Sequence, residues 1–147
     1  TEMLKIFRLI RIGIAPFIGS SNQMLSFLHA EDLARSIICT IDAGDDMNRC
    51  CVDLHDGQLG GYSWSDIIKA VRGNSIALRL PIPRQVANIL AALNRKMAER
   101  LHYAPMLTEG KVRELSQQEW ICDNSRITEK TGWTPRIDLI EGVRQLV

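Results

Sequence analysis

The sequence predicts an α/β fold, a small mixed unit of helices and short strands resembling no all-helical or all-strand pattern. Three observations carry this. Apolar residues recur at helical spacing in several stretches, short extended runs lie between them, and capping or turn residues stand at the junctions. With 147 residues, 46% of them hydrophobic, the chain can bury one core, so residues 1–147 are read as a single unit.

Met3 to Ile12 is apolar around one polar stripe of Lys5, Arg8 and Arg11, which predicts a largely buried helix stopped by Gly13. The turn residues Gly19, Ser20, Ser21 and Asn22 precede a strand over Met24 to Leu28. Glu31 and Asp32 then place negative charge where a helix amino terminus favours it, and Leu33, Ile37, Ile38 and Ile41 follow at helical spacing. Cys50 to Leu54 reads as a strand, closed by Asp56-Gly57 and the pair Gly60-Gly61.

Ser63 to Asp66 is a capping box, opening a helix that ends at Arg72 before Gly73. Ile76 to Leu80 predicts a strand fenced by Pro81 and Pro83, and a long helix covers Arg84 to Leu101. Thr108 caps a short helix through Leu115, and Trp120 to Cys122 is a brief strand. Asn124 or Ser125 starts a helix that Gly132 stops, and Asp138 with Glu141 opens the last one.

Charge and composition exclude several functions. With 18 basic and 17 acidic residues and a net charge of +1, no basic stripe exists for nucleic acid. No apolar run approaches the roughly 20 residues of a membrane span, so no membrane partner is expected. Cys39, Cys50, Cys51 and Cys122 lack zinc-site spacing and disulfide density, which predicts a reducing, cytoplasmic setting and no metal. Adjacent Cys50 and Cys51 read as thiols filling separate spaces. His55 and His102 stand alone and are expected at the surface, while His29 reads as a junction residue between strand and helix.

Four segments in order bear a family likeness. They are Phe17-Ile18-Gly19 with the run Ser26 to Ala34; Leu59 to Ile68; Pro105 to Trp120; and Asp123 to Ile127 with Thr131 to Pro135 and Leu139 to Val143. Together they resemble the carboxy-terminal, substrate-binding half of the extended short-chain dehydrogenases, the NAD-dependent epimerase/dehydratase family. The closing segment is similar to that family's "D-x-S-K-A … L-G-W-x-P … L-x-E-G" signature. The resemblance implies an extended Rossmann-type enzyme whose amino-terminal dinucleotide-binding portion is absent here, with Thr1 read as an internal cut. NAD or NADP would belong to the full-length parent and no cofactor to this portion, because no G-x-x-G-x-x-G turn and no Tyr-x-x-x-Lys pair occur. No catalytic residue is expected within it.

What the resemblance implies for substrate concerns Ile18, Leu25 and Arg113. Leu25 stands where sugar-nucleotide enzymes of the family commonly place a diphosphate-gripping arginine. Ile18 stands where an apolar residue meets the substrate. Arg113 corresponds to a second anion-binding arginine, with a solvated surface arginine as the equal alternative. The expected partners are a small-molecule substrate, either a sugar nucleotide or a less charged alcohol or ketone, and the missing Rossmann portion. The activity expected of the parent is that of an epimerase, dehydratase or reductase. The alternative is a non-catalytic binding or scaffold module derived from the same family. Apolar surface that the other half would cover should stand bare.

Overall fold

A computed structural model describes residues 2–105 and 107–146. Thr1, Met106 (inside the third family-like segment) and Val147 lie outside the described residues. Within them the chain is a mixed α/β domain of seven helices and five strands in two small sheets. The elements are α1 (Glu2–Arg11), β1 (Ile14–Ile18), β2 (Met24–Leu25), α2 (Ala30–Asp42), β3 (Tyr62–Ser63), α3 (Trp64–Arg72), β4 (Leu78–Ile82), α4 (Arg84–Leu101), α5 (Glu109–Leu115), β5 (Glu119–Trp120), α6 (Ser125–Thr131) and α7 (Leu139–Leu146), with a 3-10 turn at Gly44–Met47.

β1 and β4 pair in parallel, Ile14 opposite Leu78 and Ile18 opposite Ile82. In the other sheet β2 is central, antiparallel to β3 and parallel to β5, so Leu25 faces Tyr62 on one side and Trp120 on the other. Gly61, at φ +72°, leads into β3 because a side chain there would meet the Leu25 backbone at 3.0 Å. The main core joins α1, β1, α3 and α7 through Phe7, Ile10, Phe17, Trp64, Ile67, Leu139 and Val143. A second cluster gathers Met47, Ile127 and Trp133, and a third, made largely of small side chains, gathers Ala87, Ala91 and Val112.

Caps set the helix limits. Ser63 and Asp66 close the expected capping box at α3, Thr108 accepts from the Lys111 amide at α5, and Asp138 accepts from the Glu141 amide at α7. Gly132 stops α6 in the left-handed region at φ +69°, where only glycine is unstrained. The Asp66 carboxyl is held below its usual range by the Ser63 hydroxyl and backbone amide.

Several expectations from the sequence are corrected. The strand expected over Met24 to Leu28 keeps its ladder only at Met24–Leu25, because β3 and β5 are each two residues long. Beyond it the Phe27 carbonyl accepts from the Asp56 amide at 2.8 Å. Cys50 to Leu54 forms no strand: Val52 and Leu54 pack on the second cluster, yet the carbonyl of Cys51 goes to the Arg126 side chain at 3.0 Å instead of a neighbouring strand. The strand expected at Ile76 to Leu80 is shifted to Leu78–Ile82 by pairing with β1, and it holds Pro81 because it has a partner on one side only. The brief strand expected at Trp120 to Cys122 lies at Glu119–Trp120.

The first helix is only partly buried, since Phe7 and Ile10 are buried while Leu9 is exposed, and Ile12, expected as its last residue, lies exposed just beyond its end. α2 departs further from the usual rule. It buries Asp32 and Ser36 and exposes Leu33, Ile37, Ile38 and Ile41. α4 likewise buries Ala87, Ala91 and Ala98 and exposes Val86, Ile89, Leu90, Leu93, Met97 and Leu101. Apolar stripes of this breadth exceed the singly scattered apolar residues usual on a protein surface.

Candidate functional site

The residues singled out from the sequence fall in three places. Ile18 ends β1 and packs, half-buried, against the third cluster beside α4 and α5. Leu25 lies in β2 and packs against the main core. Arg113 is exposed on α5, with no side-chain partner among the described residues. Ile18 and the helix bearing Arg113 share one cluster through Val112, whereas Leu25 belongs to another, and none of the three lines either of the clefts found on the surface.

What joins these places is Gln23, a buried residue that carried no signal in the sequence. Its amide nitrogen donates to the carbonyls of Leu115 and Gln117, at 2.7 and 2.8 Å, and its oxygen accepts from the Trp64 indole at 3.0 Å. One side chain therefore ties the Gly19 turn to the end of α5 and to the start of α3. All its hydrogen-bonding groups used here are satisfied, as burial requires.

A cleft of about 320 Å³ opens between α1, the segment Phe27 to Ala30, and α7. Phe7, Phe27, Leu139 and Val143 supply apolar walls, and His29, Asp56 and Asp138 supply the polar groups. His29 caps α2, its Nδ1 accepting from the Glu31 amide at 3.3 Å, which fulfils its expected junction role. Gly142 permits α7 to approach, since a Cβ there would stand 3.3 Å from the His29 ring. The Tyr62 hydroxyl donates to Asp56 at 2.7 Å. Burial first, then the Asp56 carboxylate, pushes the Tyr62 pKa well above its usual value, so this phenol stays protonated and serves as a donor.

Two buried polar anchors hold this region. The Asp32 carboxylate accepts from Arg35 and from the amides of Arg136 and Ile137, both at 2.9 Å, and so fixes the loop that leads into α7. Burial works to raise its pKa, but the Arg35 hydrogen bond and the Ile137 and Arg136 amides outweigh it, and the carboxyl stays below its usual range. Asn124 grips the backbone of His55, accepting its amide proton and donating to its carbonyl, both at 2.8 Å. His55 is therefore buried, which corrects the expectation of a surface residue, and its Nδ1 accepts from the Gly57 amide. His102 is exposed, at the left-handed end of α4.

All four cysteines are free, and burial followed by the Asp53 carboxylate pushes Cys122 up. Among the described residues no three metal-ligating side chains gather, and no helix is long and apolar enough to cross a membrane. Gly60-Gly61 is the glycine pair that precedes a helix closely. After Gly60-Gly61 the first turn of α3 already holds the Asp66 carboxylate, which would repel a pyrophosphate.

This geometry defines a mixed α/β domain. A solved structure, the crystal structure of gox2253, superposes on 97% of the chain with a TM-score of 0.53 at 13% identity. The chain spans 41% of the length of that structure. At this identity the likeness concerns the fold alone. No family model matches the chain, and no curated protein matches it significantly.

Proposed function

We propose that this chain is the substrate-binding portion of a nicotinamide-dependent oxidoreductase of the extended short-chain dehydrogenase kind, an epimerase, dehydratase or reductase. The observation that carries the reading is the α2 face. The family-like run Ser26 to Ala34 leads into a helix whose Leu33, Ile37, Ile38 and Ile41 lie bare, as a surface meant to be covered by a second portion would be. Superposition of nearly the whole chain on less than half of a longer protein is compatible with it. NAD or NADP and the acid-base residues would come from that second portion, so no chemical step is assigned to residues described here.

For the substrate, Leu25 in place of an arginine favours an alcohol or ketone of low charge over a nucleotide diphosphate, because a diphosphate against an apolar side chain leaves charge unpaired. Arg113, exposed on α5, is the group from this portion proposed to meet an anionic substrate. In the full-length protein Arg113→Ala should weaken an anionic ligand by about 1.5 to 3 kcal/mol, and Leu25→Arg should strengthen a nucleotide-diphosphate sugar. The test of the class is the coding sequence on the amino-terminal side of Thr1. A glycine fingerprint after a strand and a Tyr-x-x-x-Lys pair are expected there; a start codon or unrelated sequence would overturn the assignment.

A further inference from the structure

The cleft between α1 and α7 has a chemistry of its own. Its walls are apolar, and two of the polar groups on it, Asp56 and Asp138, are carboxylates already engaged by the Tyr62 hydroxyl and the Glu141 amide. Two carboxylates disfavour an anion. The remaining polar group is His29. Because its Nδ1 accepts a backbone proton, the neutral ring carries its own proton on Nε2, and that N–H donates to nothing among the described residues. A volume of about 320 Å³ falls in the range of small-ligand sites.

We propose that this cleft binds a small, uncharged, mainly apolar molecule bearing one hydrogen-bond acceptor, such as a ketone, with His29 Nε2 as the donor. The binding stands independently of the oxidoreductase assignment, because it requires no dinucleotide and no second portion. Apolar contacts with Phe7, Phe27 and Val143 supply affinity, the imidazole N–H orients the acceptor, and Asp56 and Asp138 exclude carboxylates.

The test is calorimetric or chemical-shift titration of the 147-residue chain with methyl heptyl ketone and with octanoate, which share their heptyl chain. The ketone should bind saturably and at least about tenfold more tightly than the anion. His29→Asn, which keeps an acceptor for the Glu31 amide, should weaken the ketone by about threefold to tenfold. Ala30→Trp, placed at an exposed position that lines the cleft, should block it. Absence of saturable binding, equal affinity for octanoate, or ketone binding unchanged by Ala30→Trp would each overturn the proposal, the last by placing the ligand on a bare helix stripe instead.

Discussion

The lobe built from α1, α3 and α7 and the lobe built from α4 and α5 use opposite kinds of side chain where they touch their neighbours. In the first, Phe7, Ile10, Trp64 and Ile67 interlock, with Phe17 and Trp64 rings 5.8 Å apart. In the second, the contact is Ala87 and Ala91 against Val112, and the large side chains of α4 face away from the protein. Burial energy scales with apolar area, so the first lobe holds most of the hydrophobic stabilisation while the second is kept in place by β1–β4 pairing and the amide of Gln23. The cleft lies in the strongly held lobe, and Arg113 lies in the other. A site needing fixed geometry is better served by the first.

Substitutions can break this contrast in graded steps. The largest effect is expected from Trp64→Ala, which opens a cavity and orphans the buried oxygen of Gln23. A loss of about 3 to 5 kcal/mol in urea unfolding is predicted. Next comes Asp32→Asn, predicted to cost about 2 kcal/mol at neutral pH through loss of the charged hydrogen bonds. Because the folded pKa of Asp32 is lowered, its contribution is complete above the unfolded value of about 3.9 and vanishes as pH falls through the folded value. The stability gap between wild type and Asp32→Asn should therefore close in acid; a gap independent of pH would remove Asp32 from the account.

Smaller effects sharpen the other side of the comparison. Ala91→Leu overfills the contact between α4 and α5 and should cost about 1 kcal/mol, the low end for overpacking, since a loosely held helix can shift. A cost equal to that of Trp64→Ala would show the second lobe to be packed as firmly as the first. Leu93→Ser on the bare stripe of α4 should change stability by no more than about 0.5 kcal/mol while reducing binding of an apolar dye.

Much of the fold was legible where local chemistry decides. The capping box at Ser63, the Thr108 cap, the Gly132 stop and the full span Arg84–Leu101 follow from residues within one turn of each other. Strand limits were less legible, because β4 is positioned by its register with β1, far away in sequence. Burial was misread wherever a polar side chain solved a distant problem. Asp32 looks like a helix-end acid but spends one oxygen on two amides over a hundred residues on, His55 is buried by Asn124, and nothing about Gln23 within a turn sequence announces its three long-range bonds. The cleft was not legible at all, since α1 and α7 come from opposite ends of the chain.

The unequal holding of the two lobes is tested most directly by native-state hydrogen exchange, residue by residue. Amides of Ile67 and Ile68 in α3 should exchange only through global unfolding, whereas amides across Leu90 to Met97 in α4 should open locally at a free energy at least about 2 kcal/mol lower, with little dependence on denaturant. Protection in α4 equal to that in α3, with the same denaturant dependence, would contradict the account and make the chain one uniformly cooperative unit.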